Sequence, residues 1–273
     1  MRRLLASGGG VVGTAIVGIV LFAAVFAPWI SPYDPDALDV VHRFAGLTAA
    51  HWLGTDQLGR DLLSRLLHGA TVAMEVSVSA ILIALLGDTL LGMVAAALPT
   101  RWERLVLILF DIVAAFSSLI LALAVIAVFG PSNEHLVGIV AVTLLPQFGR
   151  VARAQAMALQ SAPFLEAERI LGASFARITL WHVLPNIAGP LMVLASIEVP
   201  VVITIEAGLS FIGLGVRPPL ASWGTLIYDG YAYLSDSLIP VLVSNGALAV
   251  ATLGFTLFGE ALRDAADPSG RRA

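Results

Sequence analysis

The 273-residue chain has no cysteine and no lysine, and only 12% of it is charged. Without cysteine, disulfides and thiol catalysis are excluded, although the redox compartment stays undetermined. All 15 basic residues are arginine. Neither a paired Ser–His arrangement nor an HExxH motif occurs, so an intramembrane hydrolase lacks its chemistry. The histidines offer no ligand set: His42, His51 and His68 share one loop without helical ligand spacing, and His135 and His182 lie elsewhere. No metal, no cofactor and no nucleic-acid partner are expected. What fills the chain instead is apolar: 58% of residues are hydrophobic and the mean hydropathy is +0.92. No ordinary soluble domain of this length has that composition.

The apolar residues come in runs. The first, residues 11–30, rises about 30 Å as a helix and suffices to cross a bilayer. It is long for a cleaved signal peptide, and Ala27-Pro28 offers no small-x-small cleavage site. Further runs cover 72–98, 105–129, 136–159 (interrupted by Pro146), 191–209 and 238–258. The expected fold is all-α with six transmembrane helices. Residues 1–30 form the N-terminus and first span, and 31–70 an outer loop with a short surface helix over 61–67. Residues 71–260 form a five-helix core with a polar stretch at 161–190, and 261–273 a polar tail. Residues 211–236 read as a Gly/Pro-rich loop. Six spans put both termini on one side. Eleven arginines fall on that side (Arg2, Arg3, Arg101, Arg104, Arg150, Arg153, Arg169, Arg177, Arg263, Arg271, Arg272) and four on the other (Arg43, Arg60, Arg65, Arg217). The positive-inside rule then makes both termini and the 161–190 stretch cytoplasmic.

That stretch, SAPFLEAERILGASFARITLWHVLPNIAGP, is the longest polar interruption in the second half. Ser161 is placed to serve as N-cap and Pro163 suits a first helical turn. Glu166, Glu168, Arg169 and Arg177 keep it wet, while Leu165, Leu171, Phe175 and Ile178 recur at helical intervals. Gly172 reads as a mid-helix glycine, costing about 1 kcal/mol relative to alanine, which fits a close approach by another backbone. Val183-Leu184-Pro185 reads as a stop, with Asn186 capping the next helix.

EAERILGAS (166–174) followed by Val183-Leu184-Pro185 resembles the EAA loop of ABC-importer permeases, with one departure: Glu168 stands where the motif has its second alanine. HWLGTDQLGRDLLSRLLHGA (51–70) and EAGLSFIGLGVRPPLASWG (206–224) are similar to loops of the peptide and nickel branch, and FGEALRDAADP to its C-terminus. The nearest group is the second permease of dipeptide, oligopeptide and nickel importers. The resemblance implies a type I importer-permease fold whose cytoplasmic coupling helix docks on an ATPase through Glu166, Ala167, Gly172, Val183, Leu184 and Pro185. It also implies a homologous permease partner in a heterodimer, ABC ATPase subunits that hydrolyse the ATP, and an extracytoplasmic solute-binding protein. The chain itself is then not an enzyme, and the setting is a bacterial inner membrane. A nickel or other small-solute importer is the alternative, or a self-sufficient secondary transporter using its membrane carboxylates.

Those carboxylates are Glu75, Asp88, Asp111, Glu198 and Glu206. Charges at bilayer depth usually face a bundle interior or a cavity. Asp88, Asp111, Glu198 and Glu206 are therefore candidates for the pathway or for helix interfaces. Asp111 and Glu206 match acidic positions of the family pattern; Glu75, Asp88 and Glu198 depart from it. Glu198 and Glu206 lie about 80° apart on an unbroken helix, and Glu75 and Glu206 sit near enough to span ends to stay wet. Gly54-Thr55-Asp56-Gln57-Leu58-Gly59 has the glycine spacing of a phosphate loop, but Arg60 and Asp61 replace its lysine and hydroxyl, so nucleotide binding is not expected.

Overall fold

The computed structural model describes residues 7–130, 132–216 and 219–266. Arg2, Arg3, Arg217, Arg271 and Arg272 lie outside the described residues, as does the tail beyond Ala266. Helix α1 spans Gly8–Ile30 and starts at Ser7, whose Oγ accepts from the Gly10 N–H at 3.1 Å. Its buried positions are Gly10, Gly13, Val17, Val20, Ala24 and Ala27, a stripe of alternating three- and four-residue steps. Small residues in that stripe let helices close up: a Cβ on Gly13 would come within 2.6 Å of the Phe258 backbone nitrogen.

Helix α2 (Leu62–Ile83) continues through a π turn at Ala84–Asp88 into α3 (Thr89–Ala97), making one 36-residue span over Leu62–Ala97. The expected surface helix at 61–67 is instead the opening of this span, and the outer loop is shorter than 31–70. Leu62, Ser64, Arg65 and Leu66 are all buried, so the polar residues that made this stretch look like a loop point into protein. Asp61 caps it, its Oδ2 accepting from the Ser64 N–H (2.8 Å) and hydroxyl (2.7 Å). The third run is likewise not one helix. Helices α4 (Thr100–Ala115) and α5 (Ser118–Phe129) meet at 90°, because Phe116 and Ser117 take extended backbone between them.

Helix α6 spans Asn133–Leu159. It is followed by the short α7 (Pro163–Ile170), a helical turn α8 (Phe175–Arg177), a π turn at Ile178–Val183, and α9 (Leu184–Phe211). Pro185 does not stop a helix: Phe175–Phe211 runs on as one span. The wider π turn accommodates the proline, which has no N–H to give to an α-type bond. Asn186 therefore caps nothing, and its side-chain nitrogen donates to the His182 carbonyl at 2.6 Å. The expected loop at 211–236 contains α10 (Trp223–Ala232), opened by a capping box in which Ser222 and Thr225 exchange side-chain bonds. Helix α11 (Ile239–Ala266) absorbs the first part of the supposed tail.

Among the described residues, five helices are thus long and apolar enough to cross a membrane, and the bent α4–α5 pair counted as one makes six. One core cluster joins α2, α3, α5, α6 and α9 through Val76, Met93, Ala122, Leu144, Phe148 and Ile187. A second joins α1, α2, α9, α10 and α11 through Val17, Ala73, Met74, Ile203, Trp223 and Phe255. Residues 31–61 and α10 share one end of the bundle, and α7 lies at the other.

Candidate functional site

At the α7 end the chain builds a platform. Ala162 is the N-cap rather than Ser161, in extended backbone, as expected for the residue before a proline. Leu165 is 1% exposed and plugs into the core beside Met93, Ala96, Ala156 and Val183. Gln160 Nε2 donates to the Ala96 carbonyl at 2.5 Å, and Glu168 lies 3.6 Å from His182 Nε2. The departure at Glu168 thus ties α7 to the π turn ahead of α9.

Gly172 is not inside a helix. It follows the C-cap Leu171 with φ +79°, and no heavy atom lies within 4 Å of a Cβ built on it. Its N–H bonds to Arg169 O (3.1 Å) and that of Ala173 to Glu168 O (3.0 Å), the Schellman pattern that ends helices with glycine. The residue is there for its left-handed backbone. Glu166, Ala167, Gly172 and Pro185 are exposed, Leu184 is half-buried and Val183 is buried, so the six candidates form no single face. Of the apolar residues at helical intervals, Leu165 and Ile178 are buried, whereas Leu171 (81%) and Phe175 are exposed. Ile170 (85%), Phe164 and Trp181, which the spacing did not single out, are exposed beside them and complete an apolar crest.

The membrane carboxylates do not converge. Glu75 is exposed, and Asp88 is half-buried on the π turn with Oδ2 unpartnered among the described residues. Asp111 accepts from Arg150 Nη2 at 2.6 Å, and Glu103 pairs with Arg153, tying α4 to α6. Glu206 is 0% exposed and therefore not wet; its Oε1 accepts from the Ser210 hydroxyl at 2.7 Å. Ser210 Oγ in turn accepts from the Val216 N–H at 3.2 Å, and a Cβ on Gly224 would strike the Ala207 carbonyl. The 206–224 stretch is a packed corner, and Glu206 belongs to it. Glu198 is 7% exposed and faces a cavity of about 640 Å³ lined also by Gln147 and Arg150.

At the other end lies a network that sequence reading passed over while weighing the glycine spacing of 54–59. Asp56, 1% exposed, accepts from Arg60 Nε (2.7 Å), Arg65 Nη1 (3.2 Å) and the N–H groups of Leu58 and Arg60 (both 2.9 Å). Asp229 of α10 lies 3.5 Å from Arg60 and 3.9 Å from Arg65. Burial holds the Asp229 carboxyl above its ordinary range, against the lowering pull of Gln57 and Arg60. His51 Nδ1 sits 2.9 Å from Asp61, and the Trp223 indole donates to Leu66 O at 3.1 Å. The outer loop, the start of α2 and α10 are thereby clasped together.

These features have counterparts. Residues 88–272 match the family of binding-protein-dependent transport system inner membrane components. Residues 1–46 match the N-terminal TM domain of oligopeptide transport permease C. The chain belongs to this family of bacterial inner-membrane permeases, a transport family and not an enzyme family. It is 36% identical to a di/tripeptide transport system permease protein of Pseudomonas aeruginosa, over 97% of this chain and 89% of the relative. A probable D,D-dipeptide transport system permease protein of Escherichia coli is 34% identical over 94% and 87%. A glutathione transport system permease protein of Pectobacterium atrosepticum is 31% identical over 98% and 89%.

Proposed function

We propose that the chain is one of two permease subunits of an ATP-driven importer of short peptides. It lines the pathway with its partner and transmits work from cytoplasmic ATPases. The observation that carries this is the α7 platform: an apolar crest, exposed at one end of the bundle, on an element keyed into the core by Leu165. Large apolar side chains left exposed on an element outside the apolar runs call for a partner that covers them. A docked ATPase that shifts α7 pulls on the π turn at Ile178–Val183 through Leu165 and the Glu168–His182 contact, and so on α9. Helix α9 carries Glu198 on the cavity wall and Glu206 in the corner at the far end, which gives one continuous helix from ATPase to pathway. Arginine asymmetry makes the α7 end and both termini cytoplasmic, and leaves the clasped loop outside to meet a solute-binding protein. The names of the relatives support peptides as cargo.

The test is uptake of radiolabelled dialanine by the chain reconstituted with its partner permease, ATPases and binding protein. Import that requires ATP and all four components is expected. Peptide uptake without ATP, driven by a proton gradient, would replace this reading with a secondary transporter.

A further inference from the structure

We propose that the cavity between α4, α6 and α9 is a binding site for a peptide's terminal ammonium group, with Glu198 as counter-charge and Gln147 as the residue that positions it. The assignment of a peptide ammonium rests on the import reading above; the cation site itself does not. Glu198 lies 14 residues from the start of α9 and 13 from its end, counted from Leu184 and Phe211, so it sits about 20 Å along the helix from either terminus. At that depth a carboxylate left facing hydrocarbon is costly, and such groups face water-filled paths or partners. Glu198 is 7% exposed and borders the cavity. Among the described residues its side chain has one partner: with the Gln147 amide turned so that its nitrogen faces the carboxylate, that nitrogen donates to Oε2 at 3.1 Å and also to Oε1. An amide orients a carboxylate but does not neutralise it.

The cation on the same wall does not supply the missing charge, because Arg150 is already bound to Asp111 at 2.6 Å. The cavity therefore presents a largely buried carboxylate, positioned by Gln147, with no cation of its own among the described residues. A single carboxylate and an amide are too few oxygens for Ca²⁺, which takes six to eight, or for an octahedral Mg²⁺ cage. A primary ammonium needs only two or three acceptors. Thr143 and Ser118 add hydroxyl oxygens, and Phe116, Leu194 and Ile205 give apolar wall for side chains. About 640 Å³ is within the range of small-ligand pockets.

The chain has no cysteine, so Thr143→Cys, one turn before Gln147 on the cavity wall, is a unique thiol in it. In the assembled complex its modification is followed on this chain by mass spectrometry, using a trimethylammonium and a sulfonate methanethiosulfonate of similar size. The cationic reagent is expected to react about tenfold faster relative to its rate on free thiol. Glu198→Gln, which keeps the amide hydrogen bond, should bring the ratio near one, and Glu198→Asp should retain it. Dialanine should slow modification with Glu198 but not with Glu198→Gln, and N-acetyl-dialanine should slow neither. A charge ratio that is the same with glutamate and glutamine overturns the site, as does dialanine protection that survives Glu198→Gln. The charge ratio uses no peptide, so it reports on Glu198 even if the parent complex imports no dialanine, a result that would sink the import reading alone.

Discussion

Asp56→Ala should be among the most destabilising single substitutions in the chain, although it lies outside the spans. It removes the acceptor for two guanidinium groups that are themselves buried, Arg60 at 8% and Arg65 at 3% exposure. It also strips two loop N–H groups of their acceptor. Breaking one side of a buried ion pair costs about 3–5 kcal/mol. The scaling seen for soluble domains of 150–250 residues converts that to a fall of roughly 6–20 °C in melting temperature. Asp229, at 3.5 and 3.9 Å from the two arginines, leaves them a more distant counter-charge, which places the cost toward the lower end of that range. Asp56→Asn should be milder, because the amide oxygen still accepts. Thermal unfolding of the purified protein decides the matter, and an Asp56→Ala variant that melts with the parent would show the clasp to be ornamental.

The second large effect belongs to the crest of α7. Replacing Ile170 and Leu171 with aspartate should leave folding nearly untouched, since both are more than four-fifths exposed and surface substitutions usually stay within about 0.5 kcal/mol. Docking should suffer badly. Central apolar anchors of an interface cost about 2 kcal/mol or more when removed, about 30-fold in affinity, and burying a new unpaired carboxylate adds to that. The double variant is expected to insert, melt normally and lose both the ATPase subunits on purification and peptide-stimulated ATP hydrolysis. Gly172 gives a graded companion. Asparagine tolerates its φ of +79° and should be nearly silent, whereas valine strains the turn by about 1–2 kcal/mol and should weaken coupling without touching the crest. Retention of the ATPase by the aspartate variant would remove α7 from the interface.

Hydropathy made the membrane fold legible, because each span is long enough to announce itself by composition alone. It failed where polar residues are buried by one another. Ser64, Arg65 and His68 lowered the apparent apolarity at the start of α2, so nine residues of a span, 62–70, read as part of the outer loop. Their partners, Asp56, Asp61 and Ser31, are remote or loop residues that no helical periodicity connects. The 90° break at Phe116 and Ser117 left no mark in the sequence, since neither glycine nor proline is involved. In the coupling stretch, glycine and proline were noticed but misread. Gly172 ends a helix rather than sitting inside one, and Pro185 sits in a helix that widens to accept it. Residue types were informative, while their pairing needed three dimensions. Glu198 shows the same limit: its charge was visible from the start, but Arg150 being spoken for by Asp111 was not.

The most direct test of the coupling platform is site-specific cross-linking in the assembled importer. With no native cysteine in the chain, Leu171→Cys and Trp52→Cys each carry one thiol for a benzophenone maleimide. Both parent positions are exposed, Leu171 on α7 and Trp52 in the loop at the opposite end of the bundle. Irradiation should join the Leu171→Cys chain to an ATPase subunit and leave the Trp52→Cys chain free of it. An ATPase adduct at Trp52→Cys, or none at Leu171→Cys in a complex that still hydrolyses ATP, would contradict the account.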